Sequence, residues 1–257
     1  QMAKQLQTFE TPFDVYAELG LLGEGGAGRV YEVRNDKGQT FALKCLSPDR
    51  ITAERRKRFK NEIGFCQSTL HRNIVRVLDT GILSLKGVMC PFYVMPKCKG
   101  TLRSLIASTP ATQVIALFAQ VLDGVEAAHK LDVWHRDLKP ENILWDGSSL
   151  VIADFGIAHF EEEAIYTAVE TKVASRMANF MYSAPEQRAR GASVDRRADV
   201  FSLGLILNEM FTHEVPQGAG YRTIGSVAPN FAYLDPIVER MIQSSAERRY
   251  QSIDEIK

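Results

Sequence analysis

What this 257-residue sequence lacks narrows it before any motif is read. It has no net charge, since 31 lysines and arginines balance 31 aspartates and glutamates. No bulk field draws it to nucleic acid, and a scaffold held by charge alone is excluded. It has no apolar run approaching the roughly 20 residues that span a bilayer. Gln1–Glu18 mixes polar and aromatic residues where a secretory leader would carry an apolar core. Cysteine is scarce: Cys45, Cys66, Cys90 and Cys98 stand apart, with no paired metal spacing. Four scattered thiols in a chain this long suit a reducing compartment better than a disulfide framework. There is no internal repeat and no low-complexity segment. The one strong charge run, Arg55-Arg56-Lys57-Arg58, has the pattern of a solvated helix face. With 45% hydrophobic and 24% charged residues the composition is ordinary for a globular protein, and the length allows one large domain or two small ones. These features predict a soluble, cytoplasmic protein.

The first part of the chain reads as strands with one helix. Val15–Leu22 and Arg29–Val33 are short apolar runs flanking glycines, and Thr40–Leu46 alternates, with Phe41, Leu43 and Cys45 on one face and Ala42 and Lys44 on the other. Ala53–Leu70 has helical periodicity through Phe59, Ile63 and Cys66. Val75–Leu78, Ile82–Leu85 and Phe92–Met95 predict further strands. Beyond Pro96 the pattern turns helical, over Thr101–Ala107, Ala111–Leu131, Ala198–Met210 and Asp235–Ser244. Two lobes joined near Pro96–Gly100 is the natural parse.

Gly23-Glu24-Gly25-Gly26-Ala27-Gly28-Arg29-Val30 fits G-x-G-x-x-G-x-V between two of these strands. Glycines let backbone amides approach phosphate oxygens with no side chain between. Taken alone the stretch is equally a hairpin turn, or a dinucleotide site if a helix follows the glycines directly. Val30-Tyr31-Glu32-Val33 reads as strand instead. Fourteen residues past Val30 comes Lys44, in Phe41-Ala42-Leu43-Lys44. Such a lysine is either a solvent charge on an edge strand or an interior cation, and the latter needs a partner because a lone buried ammonium is costly. Phosphate oxygens and a helix carboxylate would both serve. Glu62 shares a helical stripe with Phe59 and Cys66 and is the better carboxylate; Glu54, at the polar start of the same helix, is the rival.

The most informative stretch is His135-Arg136-Asp137-Leu138-Lys139-Pro140-Glu141-Asn142, with Asp154-Phe155-Gly156 twelve residues after Asn142. It places an acid, a cation and two oxygen donors suited to magnesium on one short loop and the strand pair beyond it. On these motifs the sequence resembles the eukaryotic-type (Hanks-type) serine/threonine protein kinase family, from about Leu21 to Tyr250. The resemblance implies an α+β, two-lobed protein kinase fold. A small β-rich N-lobe with one main helix would span 1–95 with a short N-terminal extension. A hinge at 96–100 and a larger α-helical C-lobe at 101–257 would follow. Ile253–Lys257 reads as the opening of a helix that the sequence does not complete, so the native chain is expected to continue.

The resemblance also implies ATP and Mg2+ as cofactors and assigns roles. Asp137 is the implied catalytic base for a hydroxyl, and Lys139 the cation that neutralises the transferring phosphoryl group. Asn142 and Asp154 are the implied metal ligands. Leu22 and the loop Gly23, Glu24, Gly25, Gly26, Ala27 and Gly28 would cover the nucleotide, with Lys44 and Glu62 orienting its phosphates. Val30, Ala42 and Leu144 would sandwich adenine, Met95 control the back pocket, and the backbone of Pro96 and Cys98 meet the adenine edge. For Cys98 a small buried thiol is the plain alternative. Cys66, Val77, His135 and Phe155 match positions that stack between lobes. Asp199 resembles the helix aspartate that holds the catalytic loop, and Glu186 of Ala184-Pro185-Glu186 would pair with Arg249.

Lys139, two residues after the base, favours serine/threonine over tyrosine chemistry. Arg136 and Ala184-Pro185-Glu186 favour protein over small-molecule acceptors. The implied partners are protein substrates, itself in trans among them, with no nucleic acid and no membrane. Three features depart from the family. Gly26 and Ala27 stand where an aromatic or serine is common, implying a mobile lid. Ala178-Asn179 replaces the usual Gly-Thr, so an amide would have to bridge Asp137 and Lys139. The stretch after Met210 carries Gly218, Gly220 and Gly225 where many kinases have a helix. The segment Asp154–Glu186 is expected to be a phosphorylation-controlled switch at Ser175, with Thr167 and Thr171 as alternatives and Arg136 as the receiving cation. The alternative function is a nucleotide-binding pseudokinase acting as an interaction switch, and a small-molecule phosphotransferase is the second rival.

Overall fold

The computed structural model describes residues 6–25, 28–155, 181–189, 191–218 and 220–257. Gly26, Ala27 and the 156–180 stretch, with Gly156, Thr167, Thr171, Ser175, Ala178 and Asn179, lie outside the described residues. The chain divides into two compact units, Gln1–Lys99 and Gly100–Lys257. The first is β-rich with one long helix and the second mainly helical, in line with the α+β composition expected from the sequence.

The first unit is a six-stranded antiparallel sheet. Strand β1 (Thr8–Glu10) pairs with β2 (Val15–Gly25), then β3 (Gly28–Asn35), β4 (Thr40–Cys45) and β6 (Val88–Pro96), with β5 (Asp79–Leu85) on the far edge. Side chains alternate across a strand, so the sheet has two distinct faces. On one, Phe9, Tyr31, Val33, Leu43, Cys45, Phe92 and Val94 form an apolar core, with Phe9 set 5.4 Å from both Tyr31 and Phe92. On the other lie Ala42 and Lys44 of β4, which the register sets opposite Met95 and Tyr93 of β6; Val30 of β3 is also opposite Lys44. The alternation in Thr40–Leu46 therefore marks two buried faces, as expected for a central strand. Helix α1 (Ala53–Ser68) is capped by Thr52, whose side chain accepts from the Arg55 amide. It buries only Phe59, Glu62 and Cys66, three and four residues apart.

Two expectations for this unit need correction. Val75–Leu78 is not a strand. Val75 and Val77 are buried and Arg76 and Leu78 exposed, so the segment alternates like a strand while ladder pairing starts only at Asp79. The helix over Ala53–Leu70 stops at Ser68, where the Thr69 amide bonds back to the Phe65 carbonyl and Leu70 is left exposed.

The second unit begins with a small sheet of β7 (Gly100–Thr101), β8 (Ile143–Trp145) and β9 (Leu150–Ile152). Around it lie α2 (Leu102–Ile106), α3 (Ala111–His129), α4 (Pro185–Arg188), α5 (Arg197–Thr212), α6 (Ile224–Val227), α7 (Asp235–Met241) and α8 (Ile253–Ile256). Helix α5 is apolar on nearly every side and buried along almost its whole length, as a central helix should be. The expected helix Asp235–Ser244 ends at Met241. Beyond it the Gln243 and Ser244 carbonyls accept hydrogen bonds from Arg249. The glycine-bearing stretch after Met210 does hold a one-turn helix, α6, whose Gly225 amide donates to the Asp235 carboxylate. Among the described residues no helix is long and apolar enough to cross a membrane.

Candidate active site

In the first unit the glycine stretch closes a hairpin. Strand β2 runs through Gly23, Glu24 and Gly25, which pair with Val30, Arg29 and Gly28 of β3. Because β3 follows, the helix that a dinucleotide site requires is absent here. Gly28 has φ +133°, and a Cβ there would lie 2.3 Å from the Cys45 carbonyl oxygen. Only glycine lets β3 approach β4 at this point. Leu22, Glu24 and Gly25 are exposed and Gly23 half-buried, while Gly26 and Ala27 lie outside the described residues.

Lys44 and Glu62 are 3% and 2% exposed, and they meet. Lys44 Nζ donates to both carboxylate oxygens, at 2.9 and 3.1 Å, and the Tyr93 hydroxyl donates to Oε1 at 2.9 Å. The ammonium also lies 5.8 and 5.7 Å from the ring centres of Phe59 and Tyr93. A buried ion pair survives only with such geometry and satisfied lone pairs. Glu54 instead pairs with Arg58 one turn along the same helix. Ala42 and Met95 face each other across β4 and β6; Pro96 is exposed and Cys98 half-buried.

In the second unit the residues of the His135–Asn142 stretch converge. Lys139 Nζ lies 3.0 Å from Asp137 Oδ2, and Asn142 Nδ2 donates to the Asp137 carbonyl at 2.8 Å and to Oδ2 at 3.1 Å. Asp137 is thereby held from two sides while remaining partly solvent-accessible. The Asn142 carbonyl accepts from the Ala153 amide at 2.9 Å, which ties the loop to the residue before Asp154. Asp154 has φ +60°. Leu144 sits half-buried on β8, paired with Val151 and Thr101.

The loop itself is anchored on Asp199, which is fully buried in the first turn of α5. Its carboxylate accepts from the His135 amide at 2.9 Å, the Arg136 amide at 2.7 Å and His129 Nε2 at 2.8 Å. Burial alone would raise this carboxyl, but His129, His135 and the Arg136 amide outweigh it and hold it below the usual carboxylate range. Arg136 has φ +61°, a left-handed conformation that costs a non-glycine residue about 1–3 kcal/mol unless its surroundings impose it. They do so from both ends, since its carbonyl accepts from Gln187 Nε2 at 2.7 Å. His135 Nε2 must donate to the Ala153 carbonyl at 2.8 Å, so its Nδ1 can accept the Asp137 amide at 3.3 Å. Its ring lies 5.0 Å from that of Phe155.

Glu186 and Arg249 form a two-pronged ion pair at 2.6 and 2.8 Å. Arg249 is fully buried and also donates to the carbonyls of Gln243, Arg197 and Ser244. Several residues of the site were not singled out from the sequence. Gln187 joins the Ala184-Pro185-Glu186 turn to the catalytic loop, and its placement right after that motif was the available signal. Tyr93 and His129 carry no motif, and only the fold brings them to Glu62 and Asp199. Arg103, Glu141, Tyr182 and Glu209 form a further cluster that the spacing of the sequence does not reveal.

Residues 16–245 match the protein kinase domain family. The serine/threonine-protein kinase PknB of Mycobacterium leprae is 32% identical over 262 residues, covering 93% of this chain and 42% of that protein. Serine/threonine-protein kinase A of Synechocystis is 31% identical over 278 residues, covering 94% of this chain and 51% of that protein. The probable serine/threonine-protein kinase CPE1738 of Clostridium perfringens is 36% identical over 207 residues, covering 78% and 29% respectively. The chain thus spans about half or less of the length of these relatives. Among solved structures, the kinase domain of Mycobacterium tuberculosis PknI superposes with a TM-score of 0.72 at 26% identity, over 100% of this chain and 96% of that one.

Proposed function

The chain belongs to the protein kinase domain family as a serine/threonine protein kinase catalytic domain, and from that premise we propose that it transfers the γ-phosphoryl of Mg·ATP to serine and threonine hydroxyls of proteins. The observation that carries this reading is the formed catalytic set within each unit. Lys44 is paired with Glu62 in the first, and Asp137 is held by Lys139 and Asn142 in the second. The pseudokinase reading is not favoured, because no position of this set is replaced.

In this proposal Lys44, fixed by Glu62, orients the nucleotide phosphates, and backbone amides of the Gly23–Gly28 hairpin cover them. Val30, Ala42 and Leu144 clasp adenine, Met95 bounds the back pocket, and the backbone at Pro96 and Cys98 meets the ring edge. Asp137 orients the acceptor hydroxyl and takes its proton, while Lys139 offsets charge on the phosphoryl oxygens. The donor set suits a hard cation. Asn142 spends its amide nitrogen on Asp137, which leaves the amide oxygen, with the Asp154 carboxylate, as a hard donor. Two protein oxygens, completed by phosphates and water, are the usual holding set for magnesium. Magnesium, when bound, neutralises phosphate charge. Most of the protein's contribution is positioning and preorganised charge.

The substrates are proteins, with the chain itself in trans among them, and neither nucleic acid nor membrane is a partner. A reducing, cytoplasmic setting is supported by four cysteines with no disulfide among them, of which Cys45 has its thiol pushed by burial up to about 12 and so kept unreactive. Regulation would act through phosphorylation of Ser175. Its support is Arg136, whose guanidinium Nε is buried without a partner among the described residues. Incubation with Mg·ATP followed by intact-mass spectrometry and site mapping tests the reading. Added phosphates with Ser175 among the sites are expected, and an unchanged mass for chain and added protein substrate alike would refute transfer.

A further inference from the structure

Strand β1 lies ahead of the span that matches the protein kinase domain family, residues 16–245. It is nonetheless built into the first unit. It pairs with β2 through Thr8 and Ala17, Phe9 and Tyr16, and Glu10 and Val15, and it also lies against β5, the other end of the sheet order. The approach there is close. A Cβ on Gly81 of β5 would lie 2.8 Å from the Glu10 carbonyl oxygen and 2.3 Å from the Phe92 ring, so only glycine lets the strand cross. Strand β1 is thus a strap that draws the two ends of the sheet together.

Its one large side chain points to a particular place. Phe9 is fully buried, with its ring 5.4 Å from Tyr31 of β3 and 5.4 Å from Phe92 of β6, the strands that flank β4 on either side. Tyr31 is opposite Leu43 of β4 and Phe92 is opposite Cys45. Lys44 stands between those two residues with its side chain on the other face, because side chains alternate along a strand. One ring therefore braces the sheet from beneath at the residue whose ammonium meets Glu62 above. Interdigitated interiors hold little free volume and transmit strain. The spacing of β3 and β6 is felt at Lys44 without a direct contact.

Polar groups fasten the far end of the strap. Thr11 Oγ donates to Asp79 Oδ2 at 2.6 Å and the Tyr16 hydroxyl donates to the same oxygen at 3.0 Å, while the Thr80 amide donates to Oδ1 at 2.8 Å. Burial and the bond to Asp79 keep the Tyr16 phenol protonated and available as a donor. The Phe13 and Asp14 amides close the following turn on Thr11 Oγ, at 3.2 and 3.0 Å. A terminal strand this short opens locally more readily than the core it covers.

We propose that Phe9 is a positioning residue for Lys44, and that docking of the strap at residues 8–11 is coupled to nucleotide binding on the opposite face of the sheet. The coupling rests on the reading of Lys44 as the residue that orients phosphates; the clamp itself does not. With the strap docked, β3, β4 and β6 keep the curvature that holds Lys44 on Glu62. With it released, Tyr31 and Phe92 lose the ring between them and the sheet relaxes at Lys44. By linkage, the factor by which nucleotide holds the strap closed equals the factor by which strap release weakens nucleotide binding. A strap with only a structural role would lower the melting point and leave the affinity of the folded chain unchanged.

The test uses the full chain, with Mg2+ and a non-hydrolysable ATP analogue as the probe. Amide hydrogen exchange read by mass spectrometry should show the 6–14 segment slowed about tenfold by the analogue, within the usual range for coupled sites, and the 82–91 hairpin of the same unit slowed less. Calorimetric titration of Phe9→Ala, at a temperature where circular dichroism shows it folded, should find the analogue bound more weakly by the same factor. Phe9→Leu refills most of the space and should recover most of the affinity. Should Phe9→Ala not fold, Thr11→Val removes the latch without touching the core and should weaken binding by a smaller factor. Native binding with strap exchange slowed no more than that of the hairpin overturns the coupling. Native affinity in folded Phe9→Ala overturns the positioning role. No binding of the analogue by the native chain would instead remove the kinase reading itself, and the coupling with it.

Discussion

Replacing Lys44 with methionine is the sharpest single perturbation of the first unit, because its two consequences have different origins. The methionine side chain fills nearly the same volume, so packing against Phe59 and Tyr93 is retained. What disappears is the cation that donates to Glu62 at 2.9 and 3.1 Å, in a place where both partners are almost fully buried. Glu62 keeps the Tyr93 hydroxyl as donor, which softens but does not cancel the loss. Removing one member of a buried pair typically costs about 3–5 kcal/mol, a large part of the roughly 5–15 kcal/mol that holds a domain together. At roughly 2–4 °C per kcal/mol for this size, melting should fall by about 6–20 °C. The double variant Lys44→Met/Glu62→Gln takes away the stranded charge and should recover much of that stability. Phosphoryl transfer should be abolished in both, since no group remains to orient the phosphates. Calorimetric melting and transfer from γ-labelled ATP are the assays. A Lys44→Met protein that melts within a degree of the native one would refute the energetic argument, and one with near-native turnover would refute the assignment of Lys44.

Two more predictions concern the second unit. Asp137→Asn should lower turnover about 10²–10⁴-fold with ATP affinity kept, because an amide cannot take the proton, whereas Asp154→Asn should weaken Mg·ATP binding; equal affinities in a calorimetric titration would remove this division of labour. The depressed Asp199 carboxyl adds stability that is present above its unfolded pKa of about 3.9 and is lost as pH falls through its lower folded value. Asp199→Asn should therefore be less stable at neutral pH and lose less on acidification below about pH 4, and parallel melting-versus-pH curves for the two proteins would contradict this.

Much of the candidate site was legible because the chemistry proposed for it demands particular residue types at short spacing. The HRDLKPEN stretch, Asp154 and the glycine hairpin are local, and a local pattern survives without knowledge of the fold. The pairing of Lys44 with Glu62 was legible too, since a strand lysine seeking a carboxylate meets a helix whose buried stripe holds one. Val75–Leu78 misled because alternating burial is a property of any extended segment over a core, and ladder partners leave no mark on one sequence. The ends of the Ala53–Leu70 and Asp235–Ser244 helices were overrun for a related reason. Their apolar periodicity continues past the points where the helices stop, at Ser68 with the Thr69 amide bonded back to Phe65 and at Met241 with the Ile242 amide bonded back to Val238. The Arg103 cluster was invisible because its members are 38 and 106 residues apart along the chain, and nothing local binds an arginine on α2 to a glutamate on α5.

The central claim, transfer of a phosphoryl group to serine and threonine hydroxyls, is tested most directly by identifying the amino acid that receives the label. The native chain is incubated with γ-labelled Mg·ATP and a general protein substrate, beside Asp137→Asn, and the labelled protein is hydrolysed and its phosphoamino acids separated. Phosphoserine and phosphothreonine in the native sample, absent from the Asp137→Asn sample, are the predicted result. Label confined to phosphotyrosine, or equal label with and without the Asp137 carboxylate, would contradict it.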